Sequence, residues 1–283
     1  MSTAILLVSC PDQKGITARI TDFIFKNNGN IEHADQHIDS QSNTFFMRVE
    51  WSLADFAIVK EKISQEFTSL AEEFNIGWNL YFSSDIPRMA VFASGQTHCL
   101  YDLLLKQKQG LLKCRIPLIV SNHSEVSEVA KSFGIKFFHF PKTAKNKKVA
   151  ERKEIELLKK ENIELIVLAR YTQILTNQFV KEFPNRIINI HHSFLPAFIG
   201  SKPYQRAYSR GVKIIGATSH YVTDELDAGP IIEQDIVRVN HRCCLEDLKR
   251  EGRELERIVL NRAIRWHLER KILIYNNKTV VFD

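Results

Sequence analysis

The apolar positions of the first 82 residues alternate between strand and helix spacing. Ala4–Ser9 is a short apolar strand, and Pro11-Asp12-Gln13-Lys14-Gly15 is a turn. Ile16, Ile20, Phe23 and Ile24 then recur at helical spacing. Asn28-Gly29-Asn30 ends that helix, because Asn and Gly tolerate the left-handed conformation a C-terminus needs. Ile31–Asp39 and Thr44–Trp51 read as a hairpin around 40–43. Val59, Ile63, Phe67, Leu70 and Phe74 form the stripe of a second helix, and Ile76, Trp78, Leu80 and Phe82 alternate as in a half-buried strand. The order βαββαβ predicts a four-stranded antiparallel sheet with two helices on one face.

A linker is expected over 84–88, with Pro87 holding Ile86 extended. After it strands and helices take turns. Arg88–Ala93, Pro117–Ser121, Lys136–Phe140, Leu165–Ala169 and Ile187–Ile190 read as strands. Helices are expected through Cys99–Leu105, up to Phe133 and over Ala144–Lys160. A long helix carries Leu255, Val259, Ala263 and Trp266, and Ile272–Phe282 is a closing hairpin. This alternation implies an α/β, Rossmann-like unit with a mostly parallel sheet and right-handed crossovers. Its ligands would bind outside the carboxyl ends of the strands. The predicted domains are therefore 1–83 and 89–283.

Composition narrows the class. Apolar residues are 44% and charged residues 25% of 283, which excludes a disordered or collagen-like chain. Apolar runs such as Ala4–Val8 and Ile166–Ala169 fall far short of the ~20 residues needed to cross a bilayer. Ala4–Val8 lacks a basic flank and meets Pro11-Asp12 at once, so no signal peptide is expected. The five cysteines are odd in number and contain no CxxC, which points to reduced thiols and a cytoplasmic location. Residues 1–85 carry a net −6 and residues 86–283 a net +12. The step suggests a basic unit facing anionic ligands. Its one dense run, Lys142–Lys148, is expected to be a solvated loop and helix start. The charge is otherwise dispersed, so neither nucleic acid nor a membrane is expected as a partner. No GxGxxG, GxxxxGK[ST] or GxSxG supports a nucleotide or serine-hydrolase reading.

The chemistry concentrates between Asn189 and Asp227. Asn189 and His191 stand two apart in a strand that breaks at Pro196, so an amide donor and an imidazole project to one side. Gly216–Val222 alternates and sends Thr218 and His220 to one face. Asp227 lies in a loop beside the turn formers Gly229 and Pro230. Singly, each has a plain structural reading: a strand-end cap, a satisfied core histidine, a turn acid. A metal held by His191, His192, His220 and Asp227 is disfavoured, since adjacent histidines face opposite ways and no HxxxH lies on a helix. No metal is expected, and His33 and His37 are expected at the surface of the acidic unit.

Two resemblances join these pieces. "CPDQKGITARITDFIFKNNGNIEHADQH" is similar to the opening of ACT domains, which have the ferredoxin-like βαββαβ fold. They pair with one another and often bind small amino acids near that turn, where a helix start suits a carboxylate. The order N-x-H, Pro bend, D-x-G resembles the tetrahydrofolate-dependent formyltransferases. Within that group, "HCLYDLL" (98–104), "VSNH" (120–123), "LARYTQIL" (168–175), "INIHHSFLPAFIGSKPYQRAY" (188–208) and "GATSHYVTDELDAGPIIEQD" (216–235) resemble the formyltetrahydrofolate deformylases, the members that carry an amino-terminal ACT domain. One departure is Thr172, where Met is more common.

The resemblance implies hydrolysis of 10-formyltetrahydrofolate to formate and tetrahydrofolate, feeding purine synthesis and one-carbon balance, with no cofactor. Asn189, His191 and Asp227 would be catalytic. Asn189 and a charged His191 would stabilise the oxyanion, while Asp227 would activate water and pass a proton to N10. The pterin would lie against Arg170, Tyr171, Gln173, Ile174 and Leu175, with His192 ordering water and His220 supporting the Asp227 loop. The basic charge would attract the glutamate tail. The turn Ser94-Gly95-Gln96-Thr97-His98-Cys99 keeps one glycine, a weak phosphate nest. Without a docked amine, water becomes the acceptor. A transferase, or a folate-binding sensor without catalysis, are the competing readings. The ACT unit would serve as scaffold or as sensor, with glycine or methionine as effector and a homo-oligomer, a tetramer, as the assembly.

Overall fold

The computed structural model describes residues 2–197 and 203–283. It divides into two compact units, one formed by residues up to Ile86 together with Glu269–Asp283, the other by Pro87–Leu268.

In the first unit the strands β1 (Thr3–Pro11), β2 (Ile31–Asp39), β3 (Thr44–Ser52) and β4 (Gly77–Phe82) make an antiparallel sheet in the order β2-β3-β1-β4. Helices α1 (Ile16–Lys26) and α2 (Ile63–Glu73) bury Ile16, Ile20, Ile24, Ile63 and Phe67 against Leu6, Val8, Met47 and Val49. Gly15 enters α1 at φ 96°, a backbone state that favours glycine. Val59 is not on the helical stripe: it precedes a short 3₁₀ turn in extended geometry and is 59% exposed.

The expected second domain ended at 283, but the chain's last residues belong elsewhere. Strands β12 and β13 (Ile272–Tyr275, Lys278–Val281, labelled in chain order) form the expected hairpin, and it packs on the first unit. Strand β1 is apolar at consecutive positions, so its sheet has a second apolar face needing cover. Leu7 and Phe46 on that face pack with Leu273 and Phe282. Arg48 holds the return chain, donating from Nε to the carbonyl of Arg270 at 3.1 Å while its Nη2 pairs with Glu50 at 2.7 Å.

The second unit carries a seven-stranded sheet. Its strands are β5 (Arg88–Ala93), β6 (Arg115–Ser121), β7 (Lys136–His139), β8 (Leu165–Ala169), β9 (Ile187–His191), β10 (Ile214–Tyr221) and β11 (Ile231–Arg238). They run in the order β11-β10-β9-β8-β5-β6-β7. β5 to β9 are parallel, and β10 and β11 add antiparallel to the edge. One face buries Phe92, Val120, Ile166 and Leu168 under α5 (Lys147–Lys160) and α6 (Asn177–Glu182). On the other, α8 (Leu245–Leu268) packs on β9, β10, β11 and α3 (His98–Lys108). The short helices α4 (Val126–Ser132) and α7 (Pro203–Arg210) complete the unit.

The lysine run is not wholly solvated. Lys142 is buried, its side chain 1% exposed, with Nζ 2.8 Å from Glu154 and 3.7 Å from Glu151. Burying a lysine demands paired carboxylates, and α5 supplies both from one face.

Candidate active site

The site lies where β9 and β10 pair beside the loop that follows β10. Antiparallel pairing sets His220 opposite Asn189 and Thr218 opposite His191. Asn189 Nδ2 is 3.2 Å from His220 Nε2. Asp227 closes the group, its Oδ2 3.3 Å from His191 Nδ1 and its Oδ1 3.7 Å from His220 Nε2. The three residues expected to react, with His220, thus meet in one place. His191, His220 and the Asp227 side chain are all under 10% exposed.

Backbone geometry delivers the carboxylate. Asp227 has φ 55°, a left-handed state that Asp tolerates better than most residues. Two residues on, a Cβ at Gly229 would stand 1.9 Å from the carbonyl oxygen of Tyr221, so only glycine lets the loop return this close. Thr218 anchors the segment leaving β9: its hydroxyl donates to the Ser193 carbonyl at 2.8 Å and accepts from Leu195 N–H at 3.0 Å.

Proton positions follow from partners. His220 Nδ1 lies 2.9 Å from the Tyr221 carbonyl, which only accepts, so that nitrogen carries the proton. Its Nε2 faces both the Asn189 amide, at 3.2 Å, and Asp227 Oδ1, at 3.7 Å. Burial raises the Asp227 carboxyl, but hydrogen bonds from His191 and His220 together pull it well below the usual carboxylate range. Asp227 is therefore a carboxylate at neutral pH. His191 Nε2 is buried without a partner among the described residues. A buried polar nitrogen left open beside an amide is a place for a reacting group. The His192 ring is tilted against that of His191, ring centres 5.3 Å apart. Burial first, then the Arg170 charge, brings its imidazole down to about 3, so it is neutral.

The expected folate wall divides in two. The side chains of Tyr171 and Leu175 pack into the core, Tyr171 edge-on to Phe92 at 5.3 Å, rather than standing at the surface. Tyr171 stands two residues past the end of β8, after Arg170 at φ 59°. Ile174 is 59% exposed, and Gln173 is half-buried. Thr172, the departure from the family pattern, donates its N–H to Ser94 Oγ at 3.1 Å. Residues 198–202 of the long 188–208 motif lie outside the described residues.

Sequence reasoning missed a second cluster. Glu256 of α8, 1% exposed, receives His98 Nε2 at 2.7 Å and the Tyr204 hydroxyl at 2.6 Å, and Arg170 Nε, which donates to Gln96 Oε1 at 3.1 Å, pairs with it at 3.4 Å. Burial raises this carboxyl, and His98, Arg170 and Tyr204 together bring it below the ordinary value. With Cys99, His98 and Glu256 form a set whose ligand atoms lie within 4.8 Å of one another. Burial keeps the Cys99 thiol protonated, and the Arg170 guanidinium already supplies positive charge there. A glutamate on an otherwise amphipathic helix, at a position in register with the buried Val259 and Ala263, was the available signal.

Comparison with known proteins accords with this geometry. Residues 87–264 match the family model for formyl transferases, and residues 4–71 match the ACT domain. The formyltetrahydrofolate deformylase of Synechocystis sp. is 55% identical over 280 residues, covering 99% of this chain and 98% of the relative. The chain belongs to the formyltetrahydrofolate deformylase family. A crystal structure of the deformylase from Pseudomonas syringae superposes with a TM-score of 0.98 at 44% identity, covering 100% of this chain and 95% of that one. A glycinamide ribonucleotide transformylase from Symbiobacterium toebii gives a TM-score of 0.66 at 31% identity, covering 72% of this chain and 98% of its own. Deformylases thus match both units, whereas the transformylase matches about the share that the second unit makes up. Among the described residues no helix is long and apolar enough to cross a membrane, and the five cysteines are free thiols.

Proposed function

We propose that this chain hydrolyses 10-formyltetrahydrofolate to formate and tetrahydrofolate, with water as the acceptor and no cofactor or metal. The observation that carries the reading is the His191–Asp227 pair, which leaves His191 Nε2 open beside Asn189 in a deformylase-family chain. A formamide carbon is a poor electrophile until its oxygen is polarised. Asn189 and His191 Nε2 donate to that oxygen as negative charge develops on it, a single such donor being worth roughly 10²–10³ in rate. Asp227 orients the water and takes its proton as the O–C bond forms. Because it starts well ionised, it holds that proton only transiently and passes it to N10. The C–N bond then breaks with N10 leaving as a neutral amine. Base help of this kind contributes about 10²–10⁴. His220 positions Asp227 and Asn189. Neutral His192 orders solvent beside the attacking water.

Folate lies against Arg170, Gln173 and Ile174, with the glutamate tail drawn by the basic charge of the second unit. The first unit assembles the protein as a homo-oligomer, a tetramer, and binds glycine or methionine at the start of α1. The enzyme works in the cytoplasm, where formate released feeds purine synthesis. The test is incubation with 10-formyltetrahydrofolate and no amine, assaying formate. Steady release supports the reading, and release only on adding an amine acceptor overturns it. Titration of glycine and methionine against rate and thermal stability tests the effector.

A further inference from the structure

Between β8 and α6 the chain presents the exposed Ile174, with Gln173 half-buried beside it. The residues on either side are tied down. Thr172 donates its N–H to Ser94 Oγ at 3.1 Å, and that hydroxyl donates in turn to Asn122 Oδ1 at 2.7 Å. At the far end Thr176 gives both its N–H, at 3.3 Å, and its hydroxyl to Oε2 of Glu151 in α5. The same hydroxyl accepts from Phe179 N–H at 3.4 Å and so caps α6. Between these ties Lys142 Nζ lies over the Tyr171 ring, 5.3 Å from its centre. The Tyr171 hydroxyl has no hydrogen-bond partner among the described residues, so packing on Phe92 and Lys142 places the ring.

Charge balance singles out Glu151. Lys142 and Glu154 are both buried, 2.8 Å apart, and neutralise one another. Glu151 is a second carboxylate in the same place, equally buried and 3.7 Å from Lys142. A further buried charge is costly unless donors meet it. Burial first, with Glu151 adding to it against the pull of Lys142, pushes Glu154 up to about 7. The donors that compensate Glu151 are those of Thr176, at the end of the loop. We propose that Glu151 is a positioning residue for the substrate: by holding Thr176 it sets the course of 172–176, and with it the surface that Gln173 and Ile174 offer to folate. The inference rests on the reading above that folate lies against those two side chains. Without the Thr176 tie the loop keeps only its anchors at Tyr171 and Thr172, and its tip gains freedom that binding must then remove. The loss falls on affinity, because bound substrate still meets Asn189, His191 and Asp227 as before.

The experiment uses the full-length protein with Glu151→Ala, Glu151→Gln, Thr176→Val and Ile174→Ala, and tetrahydrofolate as the binding probe. Calorimetry gives affinity, formate release gives kcat and KM for 10-formyltetrahydrofolate, and melting curves follow stability. Glu151→Ala is expected to weaken tetrahydrofolate binding and raise KM by about fivefold or more, as loss of a charge-assisted hydrogen bond would, with kcat within about twofold. Glu151→Gln keeps an acceptor for Thr176 and is expected to recover most of that loss. A lower melting temperature with affinity and KM unchanged would make Glu151 structural only and overturn the proposal. Should Glu151→Ala not fold, Thr176→Val removes the bond from the other side and carries the same readout. Ile174→Ala separates this proposal from the reading beneath it. If Ile174→Ala leaves tetrahydrofolate affinity unchanged, the folate contact is wrong and the proposal falls with it. If it weakens binding while Glu151→Ala does not, the positioning role alone is lost. Binding is read without turnover, so an enzyme that releases no formate sinks the hydrolase reading without deciding this one.

Discussion

His191 Nδ1 and Asp227 Oδ2 lie 3.3 Å apart, one at the end of a sheet strand and the other in a left-handed loop residue. The contact fixes the imidazole by one nitrogen and leaves the other, Nε2, buried and open. A ring so held presents a donor in a set direction, which costs no reorganisation when charge develops on the substrate.

Removing the carboxylate separates binding from chemistry. Asp227→Asn keeps the size of the side chain and loses the proposed base and the negative charge beside His191. Formate release is expected to fall by about 10²–10⁴, while the equilibrium affinity for tetrahydrofolate changes little. Steady-state assays and equilibrium titration check the split, and near-normal turnover would remove Asp227 from the chemistry.

Asn189→Ala takes away the proposed oxyanion donor and the partner of His220. The loss is expected at roughly 10²–10³ in kcat with a smaller change in KM. A change confined to KM would instead place Asn189 in ground-state binding.

Gly229→Ala probes the loop. With its Cβ 1.9 Å from the Tyr221 carbonyl oxygen, the loop must shift and carry Asp227 with it. A displacement near 1 Å can cost about 10²-fold in rate. The expected outcome is a folded protein, judged by circular dichroism, with turnover lower by that order.

The Lys142–Glu151–Glu154 cluster gives a pH dependence of stability. Burial raises Glu154 to about 7, above its unfolded value of about 4.3. Between those values the folded state holds the proton that the unfolded state has released, so stability falls as pH rises through this window. Glu154→Gln removes that slope. Relative to the wild type its melting temperature is expected to climb from pH 5 to pH 8, on top of a loss at every pH from taking a carboxylate away from the buried Lys142. Parallel melting curves would contradict this.

Asp227 works the other way. Its folded value lies below the unfolded one, so its contribution is present above the unfolded value near about 4 and is lost as pH falls. The stability difference between wild type and Asp227→Asn should therefore shrink in acid, as melting curves at pH 6 and pH 3 would show.

Much of this molecule follows from local pattern. Helical spacing of Ile16, Ile20 and Ile24, strand alternation at Trp78 and Leu80, and the two-residue step from Asn189 to His191 each depend on near neighbours in the chain. Those periodicities set elements and faces and put Asn189 and His191 on one side, while the grouping of Asp227 with them came from the family resemblance alone. What tertiary structure alone decided involves partners far apart in sequence. The uniform apolar character of Ala4–Val8 asks for cover on two faces, but nothing local says that Leu273 and Phe282 supply one of them. Lys142 reads as a surface lysine until α5 sets Glu151 and Glu154 against it. Tyr171 looks like a ligand contact until the sheet draws it onto Phe92. Glu256 is one more charge on a charged helix until His98, Arg170 and Tyr204 close around it. In each case the deciding term is burial, and whether a charge or ring is buried depends on which distant surface packs over it.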